Sequence, residues 1–160
     1  MKPDSDGHVA TADRGAGRVL VVDDEASLVR LIGRVLSAAG YDVATASDGG
    51  GATELMKGAS FDAVLSDIDM PRMGGIALFQ AVRQRDLDVP VVLMTGNPDL
   101  KTAVQAVEHG ALQYLIKPIN MRDLGKVVAR AVRLNRMAKL KREALALVGE
   151  GGTGPTGSSG

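Results

Sequence analysis

Two hydrophobic patterns alternate along the chain from Arg18 to about Leu147: short unbroken apolar runs, and stretches where apolar residues recur every three or four positions. An unbroken run of four to eight suits a strand buried on both faces, whereas the wider spacing suits an amphipathic helix. Val19 to Val22 is such a run, and Leu28, Leu31, Ile32, Val35 and Leu36 follow at helical spacing until Gly40. Tyr41 to Ala46 predicts a second strand, and Ala52, Leu55 and Met56 predict a short helix that stops near Gly58. Ala63 to Leu65 predicts a third strand, ending at Asp67. The turn MPRMGG leads into a helix carrying Ile76, Leu78, Phe79 and Val82, closed between Asp86 and Pro90. Val91 to Met94 predicts a fourth strand ending at Thr95, followed by a helix from about Asp99 to His109 with Gly110 as its stop. Tyr114 to Ile116 predicts a short fifth strand ending at Lys117, and the last helix starts near Met121 and runs past Arg142. Strand and helix thus alternate five times, which predicts an α/β fold: a parallel sheet covered on both faces and wound by right-handed crossovers.

The 160 residues suffice for one domain with a core. Residues 1–17 and the tract GEGGTGPTGSSG at 149–160 are too polar and glycine-rich to offset their ordering entropy, so they read as a flexible tail and a disordered tail or linker. The domain proper is expected at 18–136, with residues 137–148 extending the last helix. With 19 basic and 19 acidic residues, no global field draws the chain to nucleic acid or to an anionic membrane. Cysteine is absent, which excludes disulfides, thiolate metal sites and cysteine nucleophiles. No apolar run approaches the ~20 residues of a membrane helix, and the amino terminus lacks the apolar stretch of a secretion signal, so the expected location is cytoplasmic.

In an open parallel sheet, ligands bind beyond the carboxyl ends of the strands. The residues ending the predicted strands are Asp23 and Asp24, then Asp67, Thr95 and Lys117. Two like charges about 4 Å apart repel by roughly 4 kcal/mol at an effective dielectric near 20, so three clustered carboxylates call for a cation. Hard oxygen ligands without His or Cys point to Mg²⁺. A divalent ion beside an aspartate and a lysine makes a place to hold a phosphoryl group, with Asp67 as its nucleophile.

VLVVDD, LSDIDMPRMGG, MTG and YLIKP, in that order and on those strands, resemble the receiver domains of two-component response regulators over about Arg18 to Arg136. The resemblance implies a flavodoxin-like (βα)5 fold with strand order 2-1-3-4-5. It implies that Asp67 accepts a phosphoryl group from a phosphohistidine on a sensor histidine kinase or phosphotransfer protein. Asp24 and Asp67 would bind Mg²⁺ directly, Asp23 through a water, and Asp69 through its backbone carbonyl. Thr95 and Lys117 would each hold a phosphoryl oxygen, and Tyr114 would be the aromatic switch that follows Thr95. The bond from Lys117 to Pro118 is expected to be cis. Asn97 and Asp69 fall where the family tunes phosphoryl lifetime. The fourth helix, fifth strand and fifth helix would form the signalling surface, including a homodimer contact, with Lys101, Gln105, Glu108, Arg122 and Lys126 as exposed contacts. The output partner or domain is left open.

Each residue has a plainer reading alone: Asp23 and Asp24 as helix caps, Asp67 as a turn residue, Thr95 as a strand residue, Lys117 as a solvated charge. Their convergence at one rim is what favours function. The basic stretch from Arg122 to Arg142 reads as a solvated face rather than a nucleic-acid site. Two rival functions are an adaptor that binds its partner without phosphorylation and a haloacid-dehalogenase-type phosphatase. For the phosphatase, Asp67-Ile68-Asp69 resembles the D-x-D signature, but the acidic pair then comes first in the chain instead of last. A turnover enzyme is therefore not the expectation.

Overall fold

The computed structural model describes residues 16–86 and 88–156, the side chains from 150 onward excepted. Ten elements alternate in chain order: β1 (Arg18–Val22), α1 (Ala26–Ala38), β2 (Asp42–Ala46), α2 (Gly49–Gly58), β3 (Ala63–Asp67), α3 (Gly75–Arg85), β4 (Val91–Thr95), α4 (Leu100–Glu108), β5 (Gln113–Ile116) and α5 (Met121–Thr156). The strands form one sheet in the order β2-β1-β3-β4-β5, and every pairing is parallel.

The apolar runs explain the layering. Successive side chains of a strand point to opposite faces. Val19 and Val21 of β1 join Leu65, Val92 and Met94 on one face, under Ile32 and Leu36 of α1 and Leu124, Val128 and Ala131 of α5. Leu20 and Val22 join Val64, Val91 and Leu93 on the other, under Ala52 of α2, Leu78, Phe79 and Val82 of α3, and Ala106 of α4. Each such side chain contributes about 1.5–3 kcal/mol when fully buried, which is why β1 from Val19 to Val22 and β4 from Val91 to Met94 carry only apolar residues.

The helix boundaries have local causes. Asp48 caps α2 by accepting from the Gly51 N–H at 2.7 Å, and Asp99 caps α4 by accepting from the Thr102 N–H at 2.7 Å. Gly40 and Gly110, after α1 and α4, take φ values of +98° and +78° that L side chains rarely adopt.

Two boundaries differ from the sequence expectation. Gly17, placed in the amino-terminal tail, is packed into the body, where an added Cβ would lie 2.9 Å from a Val132 methyl group; the rest of that tail, residues 1–15, lies outside the described residues. At the other end α5 continues through Thr156, past the 137–148 extension and into the glycine-rich stretch. Elongating a formed helix orders one residue per hydrogen bond, whereas starting one orders three, so a long helix carries weak formers along. Residues 157–160 of the expected tail lie outside the described residues.

Candidate functional site

The register of the sheet delivers the polar strand ends to one rim. Val22 pairs with Ser66, Asp67 with Met94, and Thr95 with Ile116. Asp23, Asp67, Thr95 and Lys117 therefore follow one another across three strand boundaries at nearly one height. Asp23, Asp67 and Thr95 are 1%, 3% and 1% exposed, whereas Asp24 is open to solvent. One carboxylate oxygen from each of Asp23, Asp24 and Asp67 lies within 4.8 Å of the others.

Lys117 is the cation that Asp23 and Asp67 share. Its Nζ lies 2.8 Å from Asp23 Oδ2, 3.5 Å from Asp67 Oδ1 and 4.0 Å from Glu25 Oε1. Burial raises the Asp67 pKa above its ordinary 3.8, the Asp23 charge raises it further, and Lys117 only partly opposes them. For Lys117, burial is the largest single influence and lowers its pKa, but Asp23 and Asp67 together outweigh it and hold the ammonium above its usual range. The pocket is thus short of positive charge, and its donors are hard oxygens. That combination fits a small divalent cation, with Asp23, Asp24 and Asp67 as the residues able to hold one.

Thr95 and Tyr114 occupy other positions in the network. The Thr95 hydroxyl donates to Asp69 Oδ2 at 2.9 Å and accepts from the Asn97 N–H at 2.9 Å. The Asp69 carboxylate is thereby turned toward Thr95, while its N–H reaches Asp67 Oδ1 at 3.4 Å. Tyr114 is half-buried, and its hydroxyl lies 3.0 Å from the Thr102 hydroxyl on α4. The peptide bond between Lys117 and Pro118 is cis. Lys101, Glu108, Arg122 and Lys126 are exposed as expected; Gln105 is half-buried, and its carbonyl oxygen lies 2.8 Å from His109 Nδ1.

Three contributors, Glu25, Thr102 and Gly75, were not singled out as site residues from sequence, and Asp69 gains a further contact. Glu25 stands within reach of Lys117, and only its place two residues after Asp23 hinted at this. Asp69 was expected to offer its backbone carbonyl and to tune phosphoryl lifetime, and its hydrogen bond from Thr95 is a contact that neither expectation named. Thr102 had no signal except its helical position. Gly75 read as a turn former, but a Cβ there would collide with the Asp67 carbonyl oxygen, so its lack of a side chain lets α3 start against the acceptor strand. The cap reading of the acidic pair does not hold: the N-cap of α1 is Glu25, among the described residues no side chain bonds the first helical N–H groups, and Asp23 Oδ1 instead accepts from the Glu25 N–H at 2.9 Å, just ahead of the helix.

Comparison with known proteins gives the family and the fold. Residues 19–129 match the response regulator receiver domain. The chain belongs to that family. It is 37% identical to the regulatory protein AtoC of Escherichia coli over 122 residues, which are 76% of this chain and 26% of AtoC. The DNA-binding transcriptional regulator NtrC of Escherichia coli is 39% identical over 116 residues, covering 72% of this chain and 25% of NtrC. The chain thus spans about a quarter of these curated relatives. The fold superposes on the CheY-like receiver domain protein of Methanospirillum hungatei with a TM-score of 0.73 and 26% identity, over 76% of this chain and 97% of that one. The order of five parallel strands and five helices is that of the CheY-like, flavodoxin-like receiver fold. Receiver domains are signalling modules of two-component phosphorelays. Among the described residues no helix is long and apolar enough to cross a membrane.

Proposed function

We propose that this receiver accepts a phosphoryl group on Asp67 from the phosphohistidine of a sensor histidine kinase or phosphotransfer protein, and that acylphosphate formation resets a partner-binding surface. The observation that carries the reading is a buried Asp67 with Asp23 and Asp24 oxygens within 4.8 Å and the Lys117 ammonium at 3.5 Å. An Asp67 carboxylate oxygen attacks phosphorus, the P–N bond breaks, and its electron pair leaves with the donor imidazole. Mg²⁺, held by Asp24 and Asp67 directly and by Asp23 through water, with the Asp69 carbonyl as a further ligand, would screen the charge of the approaching phosphate. Lys117 neutralises one phosphoryl oxygen, and Thr95 donates its hydroxyl to another. The chain performs one transfer onto itself and is not a turnover enzyme.

The energetics suit a switch. The group adds about −1.5 to −2 charges and three acceptor oxygens. Hydrogen bonds to charged groups are worth about 1.5–3 kcal/mol each, so Thr95 and Lys117 together supply about 3–6. Moving a two-state equilibrium from 1:99 to 99:1 takes about 5.5 kcal/mol. For Thr95 to turn to the phosphoryl group, its bond to Asp69 must open. Tyr114 then leaves Thr102, which links the acceptor to α4 and β5.

Incubation with acetyl phosphate and Mg²⁺, read by intact mass, tests the proposal. The wild type should gain one phosphoryl group and Asp67→Asn none. A wild type that gains nothing would favour a constitutive, unphosphorylated adaptor.

A further inference from the structure

The solvent side of α5 changes character part-way along the helix. Its inward side is occupied: Leu124, Val128, Ala131 and Val132 lie in the core, Asn135 donates to Asp62 at 3.0 Å, and Arg142 lies 2.7 Å from Asp88. At 3.6 residues per turn, the opposite side carries Lys126, Arg130 and Arg133 in its first half. From there it carries Met137, Leu140, Ala144, Leu147 and Val148, all exposed. Met137 is 59% exposed, Leu140 65%, Leu147 70% and Val148 69%. This spacing makes a continuous apolar stripe on the side that a helix attached only to its own body keeps polar. Beside the start of the stripe, a groove of about 260 Å³ is lined by Tyr41, Ala129, Met137 and Leu140 and rimmed by Arg133 and Arg136.

We infer that this stripe is a docking site for an amphipathic helix of a partner protein whose apolar face is flanked by acidic residues. Charge selects the occupant. Lys126, Arg130, Arg133 and Lys141 are exposed, and among the described residues none has a carboxylate within 4.0 Å. Glu143 is the one acid between 124 and 149. A second copy of this chain fits poorly. Traced backward from Met137 at heptad spacing, its seam would set Arg133 and Arg130 against their own copies. Traced forward, it reaches only Leu140, Ala144 and Leu147 before Gly151 and Gly154. Two heptads fall short of the three or four that sustain a coiled coil. A helix bearing Glu or Asp beside its leucines meets the same stripe with the opposite sign. The inference stands independently of phosphoryl transfer, because it uses no residue of the acceptor rim.

The test uses the full chain and two labelled 20-residue amphipathic peptides, one with Glu flanking a leucine face and its twin with Lys at every Glu. Fluorescence anisotropy should show the acidic peptide binding at least tenfold more tightly than its twin. Leu140→Gln, or Leu147→Gln if the first melts abnormally, should weaken that binding at least tenfold while leaving the melting temperature unchanged. Sedimentation should show a monomer. Equal affinity for the two peptides, or binding of neither, overturns the inference. So does a dimer that Leu140→Gln dissociates, or adsorption to phosphatidylglycerol vesicles that the same variant abolishes.

Discussion

At the amino rim of the sheet, Asp62 accepts from the Arg18 N–H and from Asn135 Nδ2, each at 3.0 Å, with Lys139 Nζ at 3.9 Å. Nearby, Asp42 takes the Arg18 side chain at 2.9 Å, and Asp88 takes Arg142 at 2.7 Å. At the carboxyl rim, Asp23, Asp24 and Asp67 crowd together, and Asp23 and Asp67 share one lysine. Both rims place acids at strand ends, yet only the amino rim supplies roughly a donor for each. The amino rim ties α5 to β1 and β3. The carboxyl rim leaves negative charge unneutralised, and an unneutralised site attracts a cation and an electrophile. The contrast separates acids that hold the fold from acids available for chemistry.

Metal should sharpen this contrast most. Mg²⁺ at a hundred times its dissociation constant should stabilise the wild type by about 2.7 kcal/mol, read as a rise in Tm. Asp67→Asn should lose most of that rise, and Asp62→Asn should retain it. An equal rise in both variants would break the distinction.

Without metal, the two rims should respond unequally to loss of an acid. Asp62→Ala strands the Arg18 N–H and the fully buried Asn135 amide, whose Oδ1 already lacks a partner. It should cost about 1–3 kcal/mol in urea denaturation. Asp67→Ala removes a buried charge in excess and should cost less, or raise stability.

The pH dependence in EDTA follows from the direction of the Asp67 shift. Its folded pKa lies above 3.8, so the folded chain holds that proton more tightly than the unfolded one. The stabilisation is complete below 3.8 and is lost as pH rises through the folded value, the reverse of an aspartate held ionised by a partner. Asp67→Asn should remove this component from the pH profile of Tm. A profile unchanged by the substitution would contradict the excess of charge.

Smallest of all, Arg142→Ala should change stability by about 0.2–1 kcal/mol, because its pair with Asp88 lies at the surface with both side chains partly exposed. A larger loss would mean that α5 depends on this pair beyond Asn135.

Much of the site was legible because strand ends are marked in one dimension. Each apolar run stops at a polar residue, and parallel strands wound in one sense bring their carboxyl ends to one rim, so Asp23, Asp67, Thr95 and Lys117 could be grouped before any contact was known. The hydrogen bond between Thr95 and Asp69 was not legible, since nothing local says that the Asp69 carboxylate swings toward Thr95, 26 positions along the chain. Thr102 was missed for a similar reason: its hydroxyl meets Tyr114 only once α4 packs beside β5.

The sequence by itself determined the alternation of elements, the apolar faces of the strands, and which chemical groups end them, because periodicity and side-chain type are properties of neighbours in the chain. Tertiary structure alone decided which acids share Lys117, which are satisfied by Arg18, Asn135 and Arg142, and which face of α5 is left uncovered. Those outcomes depend on distances of a few ångströms between residues far apart in sequence, and electrostatic and hydrogen-bond energies change steeply over just that range.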